Sequence, residues 1–318
     1  MYDSLLALDK VKINFSQESS FILNIILAFI MFGVALGIHP AEFKEIFKKP
    51  KSLIVGLTAQ MVFLPAMTFL IIIIFYKLIT PTIAMGMILV AACPGGNISN
   101  FINSLSKANV ELSVSMTAIN TIAAIITTPF NFAFWGSMYE KFLLKHSTEL
   151  LQPLTIDPYQ MFFTVFIILG IPLICGLLFT HFFPKLSDKI SPVLQKLSIL
   201  FFVLMIVVAF SNNIDVFLNY IFYIFFIVLA HNGMALLTGF TSATAFGLNK
   251  RDRRAITIEV GIQNSGLGLA LLFNPKIFPQ DAALGGMLLV VAWWGIWHIV
   301  SGLSVGGYWH FHPVKNEN

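Results

Sequence analysis

Runs of mostly apolar residues, each about 20 long, recur along the chain between charged or Pro-rich breaks, and that spacing restricts it to helices that cross a bilayer. Nine such runs are read, at about 21–38, 52–76, 82–106, 109–136, 159–182, 192–211, 217–246, 254–273 and 283–308. With 57% hydrophobic and 11% charged residues, a soluble fold is excluded. The expectation is an all-α integral membrane protein of nine transmembrane helices. Residues 1–20 form an extracytoplasmic N-terminal segment, 21–308 the transmembrane domain and 309–318 a cytoplasmic tail. A net charge of +4, scattered among short loops, does not fit a nucleic-acid partner; the bilayer is the partner that composition implies.

Charge placement gives the orientation. With the N-terminus outside, most of the 19 Lys and Arg residues fall in inner loops, among them Lys44, Lys48, Lys49, Lys51, Lys250, Arg251, Arg253, Arg254 and Lys315. The outer side keeps Lys10, Lys12, Lys77, Lys141, Lys145 and Lys276. The first twenty residues mix Asp3, Asp9, Lys10, Lys12 and Glu18, so no cleavable signal is read and the first run is a retained span. A plasma membrane is expected, the inner membrane of a bacterium in particular. Asn14-Phe15-Ser16 is nevertheless a glycosylation sequon on the outer side. Cys93 and Cys175 both lie in apolar runs, which does not indicate a disulfide framework.

Two spans are interrupted by polar residues. In the eighth, Glu259-Val260-Gly261-Ile262-Gln263-Asn264-Ser265-Gly266 puts a carboxylate where insertion costs a few kcal/mol. Glu259 and Gln263 share a helix face, and Gly261 and Gly266 weaken the helix around them. One negative charge among neutral oxygens is the chemistry of a sodium or proton site. In the third span, Cys93-Pro94-Gly95-Gly96-Asn97-Ile98-Ser99-Asn100 removes a backbone donor and lets the chain unwind. Five spans separate the two breaks, and an odd offset reverses direction across the membrane. Spans 1–4 therefore match 6–9 as an inverted repeat with two broken, crossing helices. Half-helix N-termini at such a crossing suit an anion, and the carbonyls freed before each break suit a cation.

Individual polar residues also have plainer roles. Ser113 and Thr117, four apart, can bond their own helix carbonyls. His231 and His298 can join helices, Cys93 can be a small apolar residue, and Trp293, Trp294 and Trp297 can be packing or interface anchors.

Ala91 to Asn100, Glu111 to Thr117 and Thr257 to Gly266 resemble the bile acid:sodium symporter family, and the likeness extends through Met31 to Gly37, Gln60 to Pro65, His231-Asn232-Gly233 and Trp297-His298. It covers nearly the whole chain. The resemblance implies a six-helix core, about 52–136 and 217–308, moving against a panel, about 21–38 and 159–211. Bacterial members often have ten spans; the nine read here correspond to the last nine. By motif, one sodium ion falls among Ser99, Asn100, Ser113, Thr117 and Glu259. A second falls among Gln60, Glu259, Gln263 and the carbonyls of Val260 and Ile262. Asn97, Asn264 and His298 match the substrate region, although many bacterial members carry Thr in place of Asn97.

The function expected is a symporter, not an enzyme, coupling two sodium ions to uptake of a small organic anion such as a bile acid or a pantoate-like carboxylate. Proton coupling through Glu259, and an arsenite-type exporter of related fold using Cys93, are the alternatives. A sensor would bring a soluble output domain, and no paired aspartates or nucleophile arrangement in the spans supports an enzyme.

Overall fold

Lipid offers no partner to an exposed N–H or C=O, so an apolar run that enters the bilayer satisfies itself by forming helix. The computed structural model describes residues 2–12, 17–37, 50–146, 157–211, 214–279 and 282–314, and every named element among them is helical. The chain opens with α1 (Tyr2–Leu8), α2 (Gln17–Leu36) and α3 (Pro50–Ile74). A broken pair follows, α4 (Pro81–Ala92) and α5 (Ile98–Leu105), then the long α6 (Val110–His146). After α7 (158–182) come α8 (Pro184–Ser211), α9 (Ile214–Ala245), a second broken pair, α10 (Lys250–Gly261) and α11 (Ser265–Leu272), and finally α12 (Gly285–Phe311). From α2 onward, the order on either side of α7 is the same: two helices, a broken pair, one helix.

Five described helices are long and apolar enough to cross a membrane: Pro50–Ile74, Val110–His146, Tyr159–Phe182, Phe217–Ala245 and Gly285–Phe311. They fall on the second, fourth, fifth, seventh and ninth predicted spans. Shorter apolar stretches lie in α2, at Asn24–Leu36, and in α4. The protein is a multi-pass membrane protein.

Prolines shape two of the long helices. Pro65 has no N–H to return to the Met61 carbonyl four residues back. The helix widens just before it, where the Leu64 amide reaches five residues back to the Ala59 carbonyl. Asn131 Nδ2, from α6, takes the carbonyl of Met61 at 3.0 Å. In α7 the turn at Phe166–Gly170 widens in the same way ahead of Pro172.

Packing separates helices that face lipid from those that do not. Almost every residue of α4 and all of α11 are buried, so both lie inside the bundle. The first of them touches α12 closely: a Cβ on Gly86 would lie 2.9 Å from the Met287 Cα. Only a residue without a side chain lets the two backbones approach so far. By contrast, α2 packs chiefly on α7 and α8. There the Ser187 hydroxyl donates to the Leu36 carbonyl at 3.2 Å. Ile167, Ile171, Leu178, Leu200 and Val203 are exposed on α7 and α8, which is apolar surface suited to lipid.

The helix ends are pinned by side chains. Asp252 accepts from Ser52 Oγ (2.6 Å), Asn109 Nδ2 (2.7 Å) and Asn249 Nδ2 (2.8 Å), tying α3, α6 and α10 together. Arg254 donates to the carbonyls of Ser106, Trp309 and His312, at the negative ends of α5 and α12.

The N-terminal segment is more structured than its sequence suggests. Leu5 and Leu8 of α1 are fully buried. The Asp9 carboxylate accepts from the Thr80 and Thr82 hydroxyls and from the Thr82 amide, capping the start of α4. The Val11 carbonyl accepts from the amides of Leu284 and Gly285 at the start of α12. The fourth predicted span also continues past residue 136 to His146. The sequon Asn14-Phe15-Ser16, and Lys44, Lys48, Lys49 and Lys315 of the orientation argument, lie outside the described residues.

Candidate functional site

Both helix breaks are extended. Cys93 ends α4 with φ −71° and ψ 155°, and Ile262 ends α10 with φ −112° and ψ 109°. Extended backbone in a helical bundle has lost its own partners, and here each break supplies the other's. The Gly96 amide donates to the Ile262 carbonyl at 2.9 Å, and the Asn264 amide donates to the Pro94 carbonyl at 2.8 Å. Gly95 and Gln263 form the antiparallel bridge between these bonds. The corresponding breaks therefore run in opposite directions through the crossing. A Cβ on Gly96 would sit 2.9 Å from the Gln263 carbonyl oxygen, so this position requires glycine.

Beside the bridge lies Glu259, with no exposed surface. Ser99 Oγ donates to its Oε1 at 2.6 Å, Ser113 Oγ donates to the same oxygen, and Thr117 Oγ1 lies 3.1 Å from both carboxylate oxygens. Asn100 Oδ1 joins the group, 2.7 Å from Ser113 Oγ and 3.3 Å from Thr117 Oγ1. Six oxygens from α5, α6 and α10 thus converge. The Ser113 hydroxyl has one proton and two acceptors within reach, Asn100 Oδ1 and Glu259 Oε1. An excess of acceptors over protons around a carboxylate is the donor set of a hard cation. Among the described residues, the polar groups on this carboxylate are hydroxyls rather than a basic side chain.

A second polar group adjoins the first. Gln60 Nε2, on the widened turn of α3, donates to Gln263 Oε1 at 2.9 Å, and Gln263 Nε2 donates to the Val260 carbonyl at 2.8 Å. Gln60 Oε1 is buried without a partner. The Ile262 carbonyl is committed to the Gly96 amide. Gln60, Gln263 and Val260 are thus brought together, with the two amides bonded to each other.

The three residues matched to a substrate are placed differently. Asn97 and Asn264 stand at the starts of α5 and α11, each half-buried. Asn264 Oδ1 accepts from the Leu267 amide at 3.0 Å and caps α11. Among the described residues, the amides of Ile98 and Gly266 find no backbone acceptor. His298 is buried on α12 with Nδ1 unpartnered, and no described contact joins it to either asparagine. His231 is a helix connector: its Nε2 lies 2.8 Å from Thr68 Oγ1 and its ring packs edge-on against Trp294. Trp293 and Trp297 pack against Phe225. Cys93 Sγ lies against Gly268, while the carbonyl of Cys93 faces Gln60.

Two residues that the sequence motifs did not assign to the site hold it in place. Asn103 Nδ2 donates to Ser113 Oγ at 2.8 Å. Its signal was there to read, four residues after Ser99 on one helix face. Asn232 Nδ2 donates to the Gly261 carbonyl at 2.7 Å, and the Ser301 hydroxyl donates to Asn232 Oδ1.

Paired helix breaks enclosing buried polar groups in a multi-pass bundle define a class, the membrane transporters. Residues 24–220 match the sequence profile of the Sodium Bile acid symporter family, and this chain belongs to that family. Over 303 residues it is 32% identical to "Uncharacterized sodium-dependent transporter YocS" of Bacillus subtilis (strain 168), a match covering 95% of this chain and 87% of that protein. It is 30% identical over 279 residues to "Probable sodium/metabolite cotransporter BASS2, chloroplastic" of Oryza sativa subsp. japonica, covering 84% of this chain and 62% of the other. To "Probable sodium/metabolite cotransporter BASS1, chloroplastic" of Arabidopsis thaliana it is 26% identical over 291 residues, 91% of this chain and 67% of the other. The chain thus spans about two thirds of the length of these plant relatives.

Proposed function

We propose that this protein is a symporter, coupling inward movement of two sodium ions to uptake of a small organic anion by alternating access. The observation that carries the reading is Glu259: a fully buried carboxylate facing three hydroxyls and an amide oxygen, beside paired helix breaks. In this reading one sodium ion sits among Ser99, Asn100, Ser113, Thr117 and Glu259. The hydroxyls then turn their lone pairs to the ion and their protons outward. A second ion sits among Gln60, Gln263, Glu259 and the carbonyls of Val260 and Ile262. Its entry exchanges the Gln60–Gln263 amide bond for two amide oxygens facing one cation.

The anion is proposed to bind at the starts of α5 and α11, where Asn97 and Asn264 are half-buried and the Ile98 and Gly266 amides are free. His298 lends its unpartnered Nδ1 when the helices close on the substrate. A bile acid or a pantoate-like carboxylate has the required charge. The names of the bacterial and plant relatives, sodium-dependent transporter and sodium/metabolite cotransporter, agree with this assignment. The two breaks belong to an inverted repeat of nine spans. The packing of α2 on α7 and α8 supports their role as a panel against which the remaining helices move. The protein is placed in a plasma membrane, that of a bacterium by preference, with its N-terminus outside.

The deciding experiment is thermal stability in detergent, with sodium exchanged for choline at constant ionic strength, for the wild type and Glu259→Gln. A ligand of the native state raises stability by about 2.7 kcal/mol at a hundred times its Kd. Stabilisation of the wild type alone supports the site. If neither protein responds to sodium, the reading fails, and uptake driven by a pH gradient becomes the next test.

A further inference from the structure

A small cavity with room for about one water molecule lies beside Gln60, between α3, α6 and the end of α4. Its wall includes Gln60, Asn120, Thr127 and Asn131, together with the turn at Ala92 and Cys93. Asn120 is 1% exposed, and neither its Oδ1 nor its Nδ2 has a partner. Gln60 is 2% exposed, and its Oε1 is likewise unpartnered. Leaving three buried amide atoms unpaired costs about 1–3 kcal/mol each. Packing alone gives no return on that cost.

The surroundings state which ligand the atoms await. The cavity sits at the C-terminal, partly negative end of α4. Pro94 cannot donate to the last turn, and the Gly96 amide is committed to Ile262, so the carbonyls of Ala91 and Ala92 are not capped by the backbone that follows. Asn131 spends its Nδ2 on the Met61 carbonyl, and Gln60 spends its Nε2 on Gln263 and Cys93. The unpartnered atoms that remain on the cavity wall are two neutral amide oxygens, Gln60 Oε1 and Asn120 Oδ1, and one amide donor, Asn120 Nδ2. The cavity also continues a stripe: Ser113, Thr117, Asn120, Thr127 and Asn131 follow one face of α6 at steps of three, four or seven, from the buried carboxylate to partly exposed Thr127.

We propose that this cavity is a third alkali-cation site, a station where sodium sheds water on its way between the membrane surface and the ligands of the second sodium site. Gln60 faces both, and turning its amide over would move the same oxygen from one to the other. Without a carboxylate the station binds weakly, which passage requires: a site on a path must release what it takes. The inference rests on the sodium-coupled reading of Glu259.

The test uses the full-length protein with sodium alone as the probe, exchanged for choline. Glu259→Gln is expected to lose the sodium-dependent rise in melting temperature, and adding Asn120→Asp to it restores a rise by placing a charge at the station. Asn120→Leu in the otherwise native protein keeps the wild-type sodium shift, while its rate of sodium association at low sodium, followed with radioactive sodium, falls about tenfold. No restored response in the double variant, together with wild-type sodium-association kinetics for Asn120→Leu, overturns the station and indicates a cavity that holds only water. A sodium shift undiminished in Glu259→Gln but lost in Asn120→Leu would instead overturn the coupling role of Glu259 and leave the cavity as the sodium site.

Discussion

Gly96 and Ile262 are joined by a backbone hydrogen bond of 2.9 Å that closes one side of the crossing between the two broken helices. The Asn264–Pro94 bond closes the other side. Because these bonds position Glu259 against α5 and α6, the geometry of the polar groups around it depends on how closely two extended segments approach.

That dependence makes Gly96→Ala a severe change. Its Cβ would meet the Gln263 carbonyl oxygen at 2.9 Å and its carbon at 3.2 Å, both backbone atoms that cannot step aside. A loss of about 1–3 kcal/mol of stability is expected, together with loss of the sodium response. Gly233→Ala is the contrasting case, since nothing lies within 4 Å of the added methyl. It is expected to be neutral, or stabilising by up to about 1 kcal/mol through helix propensity. Melting temperatures of both variants, with and without sodium, check the pair.

Ser113→Ala removes the hydroxyl shared by Asn100, Asn103 and Glu259. Sodium affinity is expected to fall about tenfold, or about 1.4 kcal/mol. Ser113→Thr should recover part of it, because the hydroxyl returns. The midpoint of sodium-dependent stabilisation measures both.

Asp9 caps α4 from the N-terminal segment. Replacing it with Ala leaves the Thr80 and Thr82 hydroxyls and the Thr82 amide without their acceptor. A cost of about 1 kcal/mol is expected, with sodium affinity unchanged. An unaltered melting temperature in Asp9→Ala would show that this contact does not hold the N-terminal segment in place.

In the proposed function, two sodium ions accompany one monovalent anion, so each cycle would move one net positive charge inward. Uptake by reconstituted vesicles should therefore speed up when the interior is made negative, and it should generate a current. Electrically silent uptake would point to a divalent substrate or to a single coupling ion.

The broken helices were legible because their signal is local. Pro94-Gly95-Gly96 cannot continue a helix, and Glu259 in an apolar run needs a purpose wherever it lies. Most of the polar group around Glu259 could be read for the same reason, as hydroxyls and amides are rare in such company. Contacts between distant segments could not be read this way. Nothing near Thr80 announces that Asp9 will cap it, and the seven residues of α1 are too few to show a helical period. Nor does the sequence say that Gln60 and Gln263 bond to each other, since either amide could have turned its oxygen inward. Asn103 was overlooked because, on a half-helix crowded with polar residues, position alone did not separate ligand from support.

The crossing also constrains the order in which the protein is made. Ribosomes deliver the first break long before the second, so the Gly96 amide enters the membrane without its acceptor, and the Pro94 carbonyl without its donor. Until Ile262 and Asn264 arrive, the nascent first half carries open backbone in a medium that cannot satisfy it. It must be sheltered by water, by insertion machinery or by its own fold-back. A chain cut after α7 therefore keeps a permanent gap at its centre, and cellular quality control has an exposed feature by which to recognise it.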